Sequence, residues 1–350
     1  MTCSGLRTGP LPAKDAAPPV KDVVPPAKKA EPPAIKDAPP KKERVAITDP
    51  AKAQEDPDFA IQGEYEGGSG ADKLGVQVIA QGGGKFALKI FTGGLPGAGW
   101  NGMAESTASA KREEKSTAII GNKNSGSIAD GKMTLQEGAK PAATLARIER
   151  KSPTLGAKPA EGAIVLYAGP DDVKKWNGGK LIEDSDGKFL GTGFSGNGPT
   201  TKQTFGAFQV HVEFRTPYMP NSSSQQRGNS GFYFQPRYEC QILDSFGVKT
   251  AHNECGGVYQ KHKPLVNMCL PPLAWQTYDI DFAPAKLLEG GKIEPARVTI
   301  LHNGVKIHDN AEFKNGTGEG LKEDIKPGSI GMQNHHDPVE FNNIWVVEKK

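Results

Sequence analysis

The sequence predicts an all-β protein built from short antiparallel strands. The 350 residues include 43 Gly and 28 Pro, a composition that favours turns and short strands over long helices. Apolar and polar residues alternate over runs such as FQVHVEF and ARVTILH, as in strands with one buried face. Hairpin signals such as Asn303-Gly304 separate these runs. Together these features predict a sandwich of two antiparallel sheets.

Residues 1–58 are interpreted as a disordered linker rich in Pro, Ala and Lys. Pro-Pro pairs begin at Pro18, Pro25, Pro32 and Pro39, and this repeat favours an extended polyproline conformation. A chain of this composition buries too little apolar surface to offset the entropy lost on ordering. Because a Pro-rich tether ahead of a β domain is typical of exported proteins, we expect a secreted, periplasmic or cell-surface location.

The charge distribution argues against a nucleic-acid-binding protein. The first 50 residues hold 9 Lys or Arg and 6 Asp or Glu, a surplus of 3 that accounts for the whole net charge of +3. The remaining 300 residues are neutral and have no basic surface for nucleic acid. No apolar run approaches the roughly 18 residues of a transmembrane helix, so no membrane span is expected.

Residues 59–152 are predicted to form a small β domain. Apolar residues alternate in LGVQVIA and in KFALKIF, and three glycines at 82–84 form the turn between the two segments. Trp100 follows a Gly-rich loop. In a unit this small, a tryptophan is expected to anchor the core rather than to stack on a sugar ring. No chemistry is assigned to this domain.

Residues 153–350 are predicted to form the larger domain, centred on the segment RGNSGFYFQPRYECQILDSFG at 227–247. Parity along an extended chain assigns these residues to the core face: Phe232, Phe234, Tyr238, Cys240 and Ile242. It assigns these residues to the opposite face: Tyr233, Gln235, Arg237, Glu239 and Gln241. Such a run of Arg, Glu and Gln indicates a lined groove, although a cross-strand ion pair on an ordinary sheet surface would also account for it.

A second polar face lies on the strand FQVHVEFR, where His211, Glu213 and Arg215 alternate with core residues. We expect this face to lie beside the polar face of the 227–247 segment, on one concave sheet. Arg215 is therefore predicted to contact the substrate.

Four segments resemble, in the same order, the 3-keto-disaccharide hydrolase domain family. They are the 227–247 segment, NECGGVYQKHKPLVNMCLPPLAWQTYDIDF, ARVTILHNGVKIHDN and GSIGMQNHHDPVEFNNIWVVE. The resemblance covers roughly residue 153 to the C-terminus and implies a concanavalin-like jelly-roll sandwich. The family often has an Asp and a Gly where this chain has Asn334 and His336, and an Arg where it has Asn342. A metal or charge role for that loop is therefore not carried over.

The resemblance implies an enzyme that cleaves the glycosidic bond of 3-keto glycosides or disaccharides. A carbonyl at C3 acidifies the C2 proton and makes the C1 oxygen a β leaving group. The bond can then break by elimination, and later addition of water gives net hydrolysis. This chemistry requires a base for C2–H, a group that stabilises the enolate oxygen and an acid for the departing oxygen.

Glu239 is the predicted base or acid, and His335 in the QNHH loop is the expected partner for the second proton transfer. Arg237 and Gln241 lie two residues either side of Glu239, and we expect them to hold the carbonyl oxygen or a hydroxyl. If a bulge turns Asp244 inward, Glu239 and Asp244 could instead be the two carboxylates of a retaining hydrolase.

Asn229, Trp275 and Gln333 complete the predicted substrate-binding residues. Asn229 either faces the substrate or only sets the turn after Arg227-Gly228. Trp275 is either a wall of the groove or a core residue. Gln333 opens the QNHH loop.

The sequence leaves the cofactor open and predicts no metal site. Four cysteines are present, without a CxxC motif or zinc-type spacing: Cys3, Cys240, Cys255 and Cys269. Cys240 has core parity and is expected to be a buried thiol. A divalent cation held by Glu239, Asp244 or His335 would stabilise an enolate, but no ligand spacing indicates one.

Three classes of function fit this sequence. The first is a carbohydrate-active enzyme, the second a lectin-like binding module of the same fold, and the third a structural surface domain on a stalk. A lectin would place aromatic and amide groups in the groove without a carboxylate and imidazole pair. The expected partners are a carbohydrate substrate and a separate sugar 3-oxidase that supplies the ketone.

Overall fold

The computed structural model describes residues 44–103, 105–139, 141–193, 198–313, 315–318 and 320–349. Strands dominate these residues and the helices are very short, which confirms the predicted all-β class. The interpretation of residues 1–43 as linker lies outside the described residues. In the described part of the chain, no helix has the length and apolar character needed to cross a membrane.

The helices are α1 (Pro50–Ala53) and α2 (Pro57–Ile61), with 3₁₀ turns at Gly70–Asp72, Pro170–Lys175, Ser224–Gln226, Gln235–Arg237 and Glu289–Gly291. The first eight strands are β1 (Gly63–Gly67), β2 (Leu74–Ala80), β3 (Lys85–Thr92), β4 (Glu105–Arg112), β5 (Thr117–Ile120), β6 (Asn124–Ala129), β7 (Lys132–Glu137) and β8 (Ala143–Ile148). The next eight are β9 (Ile164–Tyr167), β10 (Trp176–Asn177), β11 (Lys180–Asp184), β12 (Gly187–Gly191), β13 (Thr200–Thr201), β14 (Phe208–Arg215), β15 (Ser230–Phe234) and β16 (Tyr238–Ile242). The remaining strands are β17 (Gln276–Ala283), β18 (Lys286–Leu287), β19 (Ile293–Glu294), β20 (Ala296–His302), β21 (Val305–Phe313), β22 (Ile330–Met332) and β23 (Glu340–Glu348).

Strands β1 to β8 close into an antiparallel barrel in which each strand pairs with the next and β8 pairs with β1. Closure leaves no unpaired edge strand. Strands β2 and β3 form the predicted hairpin, with Val76 opposite Ile90 and Val78 opposite Leu88. The barrel has its own hydrophobic core, which includes Tyr65, Val76, Val78, Ala80, Phe86, Leu88 and Ile90.

Two antiparallel sheets form the sandwich. One has the order β10-β13-β22-β15-β16, and the other has the order β11-β12-β23-β14-β17-β20-β21, with β9 paired to β23. Their inward side chains meet in a single core rich in aromatic rings, where Phe234 of β15 stacks on Phe282 of β17 with centroids 5.6 Å apart. The predicted jelly-roll sandwich is therefore confirmed.

Residues 44–58, which the sequence interpretation assigned to the linker, are folded. Asp49 and Asp56 each accept a hydrogen bond from a backbone N–H two residues on, and each precedes a proline at the start of a helix. They therefore cap α1 and α2. Ala53 is buried in the barrel core. The linker prediction was wrong in this stretch because two Asp-Pro helix starts occur within a Pro-rich sequence.

The barrel contacts the sandwich close to the end of β16. Arg227 donates from Nη1 to the main-chain oxygen of Ala80 at 3.1 Å. At Gly247, where φ is +72°, an added Cβ would lie only 2.4 Å from Ile79 Cδ1. The described residues from 44 to 349 belong to one compact unit. The boundary at 152/153 between two domains stays a prediction.

Candidate functional site

The 227–247 segment contains the hairpin β15–β16, and β16 is an edge strand of the five-stranded sheet. Phe232 lies opposite Cys240, and Phe234 lies opposite Tyr238. The core residues of this hairpin are those that parity predicts: Phe232, Phe234, Tyr238, Cys240 and Ile242. The opposite face points away from the sandwich core because side chains alternate along each strand.

Tyr233 and Glu239 lie directly opposite each other on this outward face. The Tyr233 hydroxyl donates to Glu239 Oε2 at 3.0 Å. Glu239 is only 2% exposed, and its backbone is held on both sides: its N–H donates to Thr317 Oγ1 at 2.7 Å, and its carbonyl accepts from Tyr259 N–H at 3.1 Å. A buried carboxylate bonded to a phenol in fixed geometry is suited to proton transfer.

Glycines keep the sheet surface open beside this pair. Gly231 lies opposite Gln241 on β16, and Gly331 of β22 lies beside Tyr233. A Cβ at Gly231 would lie 2.2 Å from Glu239 Oε1. Any larger residue at this position would therefore displace the carboxylate.

A groove of about 590 Å³ lies over this surface. Its volume is within the range of sites for small ligands. Polar residues that line the groove include Asn177, Thr200, Tyr233, Gln235, Ser329, Gln333 and Asn334. The groove thus presents hydroxyl and amide groups next to the tyrosine that is hydrogen-bonded to Glu239.

Amide side chains cluster farther along β16. Gln241 Nε2 donates to Gln225 Oε1 at 3.1 Å, and Asn229 Nδ2 donates to the main-chain oxygen of Gln225 at 2.8 Å. Among the described residues, the buried atoms Gln241 Oε1 and Asn229 Oδ1 have no hydrogen-bond partner. Leaving a buried acceptor without a donor costs free energy, so a donor that entered this amide cluster would stabilise it.

The QNHH loop lies alongside the hairpin. Gln333 N–H donates to a carbonyl of β15 at 2.8 Å, and Asn229 N–H donates to Asp337 Oδ2 at 2.9 Å. Burial raises the pKa of Asp337, which is paired with Arg44 at 2.5 Å. Between these two anchors, His335 is exposed to solvent. The loop therefore holds an accessible imidazole at the side of the hairpin.

A comparison with known protein families identifies the family to which the sandwich domain belongs. The family described as the 3-keto-alpha-glucoside-1,2-lyase-like domain matches residues 162–347, which is more than half of the 350 residues. The chain belongs to this family. Membership gives the protein a carbohydrate-active function in general. A separate comparison with curated proteins finds no significant match.

Solved structures similar to this lyase-like chain include two candidate glycosyl hydrolases from Parabacteroides distasonis. One, solved at 2.13 Å resolution, is 30% identical in sequence and has a TM-score of 0.47. The match covers 54% of this chain and 84% of the solved chain. The other, solved at 1.70 Å resolution, is 18% identical in sequence and has a TM-score of 0.33. That match covers 56% of this chain and 93% of the solved chain.

Two residues that the sequence predicted for the site form structural contacts near the hairpin instead. Arg237 falls in the 3₁₀ turn between β15 and β16, where it donates to the main-chain oxygen of Lys326 at 2.9 Å and pairs with Asp324 at 3.5 Å. Asp244 follows β16 and forms a buried ion pair with Arg227 at 2.5 Å. Neither residue lines the groove, and of the other predicted residues Glu239, Gln241, Asn229 and His335 do not line it either; Tyr233 connects the groove to Glu239. The turn interrupts the strand, so parity counted through it misplaced Arg237.

Arg215 lies on the other sheet of the sandwich, and Trp275 directly precedes β17 of that sheet; neither residue lines the groove. Arg215 belongs to β14 in the eight-stranded sheet, is 1% exposed, and lies 4.8 Å from the ring centroid of Trp275. It is paired with three carboxylates, those of Asp184, Asp186 and Glu340. The expected single concave face was wrong because parity reports which side of a strand a residue faces, but not which sheet the strand joins.

His211 on β14 makes the stability of the protein dependent on pH. Its Nδ1 lies 2.6 Å from Asp279 Oδ1 and its Nε2 lies 3.4 Å from Glu213 Oε1. Burial lowers the pKa of His211, but the bonds to Asp279 and Glu213 outweigh it and raise the pKa to about 9. In the unfolded chain the pKa of a histidine is about 6.5. The stabilisation that protonated His211 provides through Asp279 and Glu213 is therefore complete below pH 6.5 and is lost as pH rises to 9. We expect the free energy of unfolding to fall by up to about 3 kcal/mol over that interval.

Chemical denaturation at a series of pH values checks this expectation. A His211→Gln variant should lack the decrease between pH 6.5 and 9, whereas His252→Gln, which changes an exposed histidine, should retain it. An unchanged slope in the His211→Gln variant would assign the pH dependence to other groups.

In the part of the chain that the structure describes, no three His, Cys, Asp or Glu side chains converge to hold a metal ion. The cysteines within that part are buried free thiols: Cys240, Cys255 and Cys269. For Cys240, this agrees with the core position that parity predicts.

Sequence reasoning missed two kinds of residue in the candidate site. Tyr233 was placed on the polar face but given no role, although a hairpin register counted from the 235–237 turn would have put it opposite Glu239. Thr317 comes from a loop and Gln225 from the 3₁₀ turn Ser224–Gln226, and their contacts with β16 join residues 78 and 16 positions apart. No local pattern marks such loop contacts.

Proposed function

We propose that the protein cleaves the glycosidic bond of 3-keto glycosides or disaccharides by abstraction of the C2 proton and elimination, followed by hydration. The observation that carries the proposal is the hydrogen bond between the Tyr233 hydroxyl and the buried Glu239 carboxylate beside the groove. Membership in a family described as 1,2-lyase-like supports the same type of reaction.

The electron flow of this reaction is balanced without an oxidant or reductant. The C2–H bond gives its electron pair to an enolate whose oxygen is the former C3 carbonyl. Return of that pair re-forms the carbonyl, makes the C1–C2 double bond and expels the C1 oxygen, which takes up a proton. Water then adds at C1, and C2 regains a proton. The substrate must come from a reaction that oxidises the C3 hydroxyl, such as that of a separate sugar 3-oxidase.

Glu239 is the proposed final acceptor of the C2 proton, with the Tyr233 hydroxyl passing the proton between the groove and the buried carboxylate. Burial removes water from the carboxylate and so strengthens its interaction with the tyrosine. The Gln333 amide lines the groove and is the proposed contact for a sugar oxygen. Gln241 and Asn229 lie outside the groove lining, and their buried, unsatisfied oxygens are proposed to position the hairpin beside it. His335 is the proposed donor to the departing oxygen, since its imidazole is exposed beside the hairpin.

The retaining mechanism with two carboxylates has less support. It requires Asp244 to face the sugar as a second ionised carboxylate. Instead, Asp244 Oδ2 accepts from Arg227 Nε at 2.5 Å, and Asp244 Oδ1 accepts from the Phe246 N–H at 3.3 Å. Its side chain is therefore already committed to holding the loop that contacts the barrel.

The deciding experiment is incubation in D₂O of the protein with the 3-keto derivative of an α-linked glucose disaccharide. The unoxidised disaccharide and an enzyme-free sample of the keto sugar serve as controls, the second because ketones exchange α protons spontaneously. We expect cleavage of the keto sugar only, with deuterium at C2 of the released 3-keto sugar. Comparable cleavage of the unoxidised disaccharide, without deuterium at C2, would contradict elimination. Binding of the keto sugar without cleavage would favour the lectin-like function instead.

A further inference from the structure

A second cleft lies between the barrel and the sandwich, formed by residues that the proposed reaction does not use. Its volume is about 600 Å³, and it shares no lining residue with the groove beside Glu239. The barrel contributes Phe91, Trp100 and Met103, and the sandwich contributes Val248 and Leu265. We call it the interface cleft.

Trp100 lines the interface cleft and is not part of the barrel core. It is half-buried, and its ring contacts Phe91 edge-on with centroids 5.0 Å apart and an interplanar angle of 62°. The sequence interpretation of Trp100 as a core anchor was wrong because aliphatic residues and Tyr65 and Phe86 already fill the barrel. An indole at a concave surface presents an apolar face on which a pyranose ring can stack.

The rim of the interface cleft carries three exposed large hydrophobic side chains. Met103 is 81% exposed, Leu265 is 75% exposed and Val248 is 43% exposed. These are three of the 11 exposed large hydrophobic residues in the described part of the chain, and they converge on one cleft. Such clustering marks a site that binds a ligand or a partner.

The charged groups of the interface cleft are mainly cationic. Lys89 and Lys249 both pair with Glu105, at 3.4 Å and 3.0 Å, and Lys263 lines the same cleft. Partial burial raises the pKa of Glu105, but the two lysines outweigh it and lower the pKa, so this carboxylate is ionised at neutral pH. Three lysines against one glutamate leave a positive surplus that attracts anions.

We propose that the interface cleft binds an acidic oligosaccharide, with one pyranose ring stacked on Trp100 and its anionic groups beside Lys249 and Lys263. The volume of the interface cleft fits a small ligand. A stable protein–protein interface is instead a broad surface that buries roughly 1,200 Å² or more. The site is separate from the Glu239 groove, so it adds glycan binding to the proposed activity without depending on it.

The test is binding of the full chain to an array of uronate-containing, sulfated and neutral oligosaccharides, followed by calorimetry with the best acidic binder. We expect selective binding of acidic glycans that weakens when the salt concentration rises from 0.05 to 0.5 M, on the scale of electrostatic screening. Trp100→Ala should weaken binding by about 10-fold or more, on the scale of losing one stacked ring. Lys263→Gln should weaken it by several-fold and provides a second variant if Trp100→Ala is poorly folded.

Lys306→Gln is the matched control, because it removes a lysine that pairs with Asp309 outside the interface cleft. It should leave binding unchanged, and Glu239→Gln should also bind the array normally, which separates this proposal from the proposed reaction. The proposal is overturned if no glycan binds, if neutral and acidic glycans bind equally, or if folded Trp100→Ala and Lys263→Gln proteins bind as well as the native chain. In the first case, the apolar rim would instead be a docking surface for a protein.

Discussion

A Glu239→Gln variant should lose turnover of a 3-keto disaccharide by about 10²-fold or more, the scale of removing a general acid or base. Gln has nearly the same shape as Glu but cannot take up the C2 proton. Its amide oxygen can still accept the hydrogen bond from Tyr233, and the backbone bonds of residue 239 to Thr317 and Tyr259 do not involve the side chain. Folding and binding of the keto sugar should therefore change little, and steady-state kinetics together with a melting curve will separate these effects.

The matched control is Glu323→Gln, which makes the same substitution at a carboxylate that also accepts a hydrogen bond from a tyrosine of this hairpin, Tyr238. Tyr238 faces the sandwich core, so Glu323 has no part in the proposed reaction. Its variant should keep turnover within about 2-fold of the native protein. If Glu239→Gln is equally active and stable, Glu239 is not the proton acceptor, and His335 becomes the leading candidate.

The hairpin shows why much of the candidate site was predictable from sequence. Side chains alternate strictly along a strand, so the buried positions of Phe232 and Cys240 fix the outward direction of Tyr233 and Glu239. That inference fails wherever the strand is interrupted. Gln235 adopts a φ of +52°, and the turn it begins ends the parity relation before Arg237.

The remaining parts of the site depend on contacts between distant segments. Arg44 pairs with Asp337 across 293 residues and so connects the folded N-terminal stretch to the QNHH loop. Neither segment indicates from its own sequence that it contacts the other, because a single ion pair between distant residues leaves no periodic pattern in the sequence. Likewise, the polar face of β14 was read correctly, but only the strand order of the sheets shows that it lies away from the groove.

An Arg215→Met variant should be destabilised by about 3 to 5 kcal/mol, the scale of removing one partner from a buried ion pair. Arg215 is 1% exposed and is surrounded by Asp184, Asp186 and Glu340, of which Asp184 and Glu340 have fully buried side chains. Burial raises the pKa of Glu340 to about 7 even with Arg215 beside it. Without the guanidinium, two buried carboxylates would face each other unpaired. For a domain of this size the loss corresponds to a decrease in Tm of roughly 10 °C.

Arg297→Met is the matched control, because the ion pair of Arg297 with Glu312 at 2.8 Å is about one-third exposed on both sides. Exposed pairs contribute about 0 to 1 kcal/mol, so this variant should melt almost normally. The destabilisation of Arg215→Met should diminish as pH falls from about 7 toward 4.5, because protonation of Glu340, whose pKa burial raises to about 7, removes part of the uncompensated charge. If Arg215→Met instead melts normally but loses turnover of the keto sugar, Arg215 contacts substrate as the sequence suggested, and its assignment to a structural ion-pair cluster is wrong.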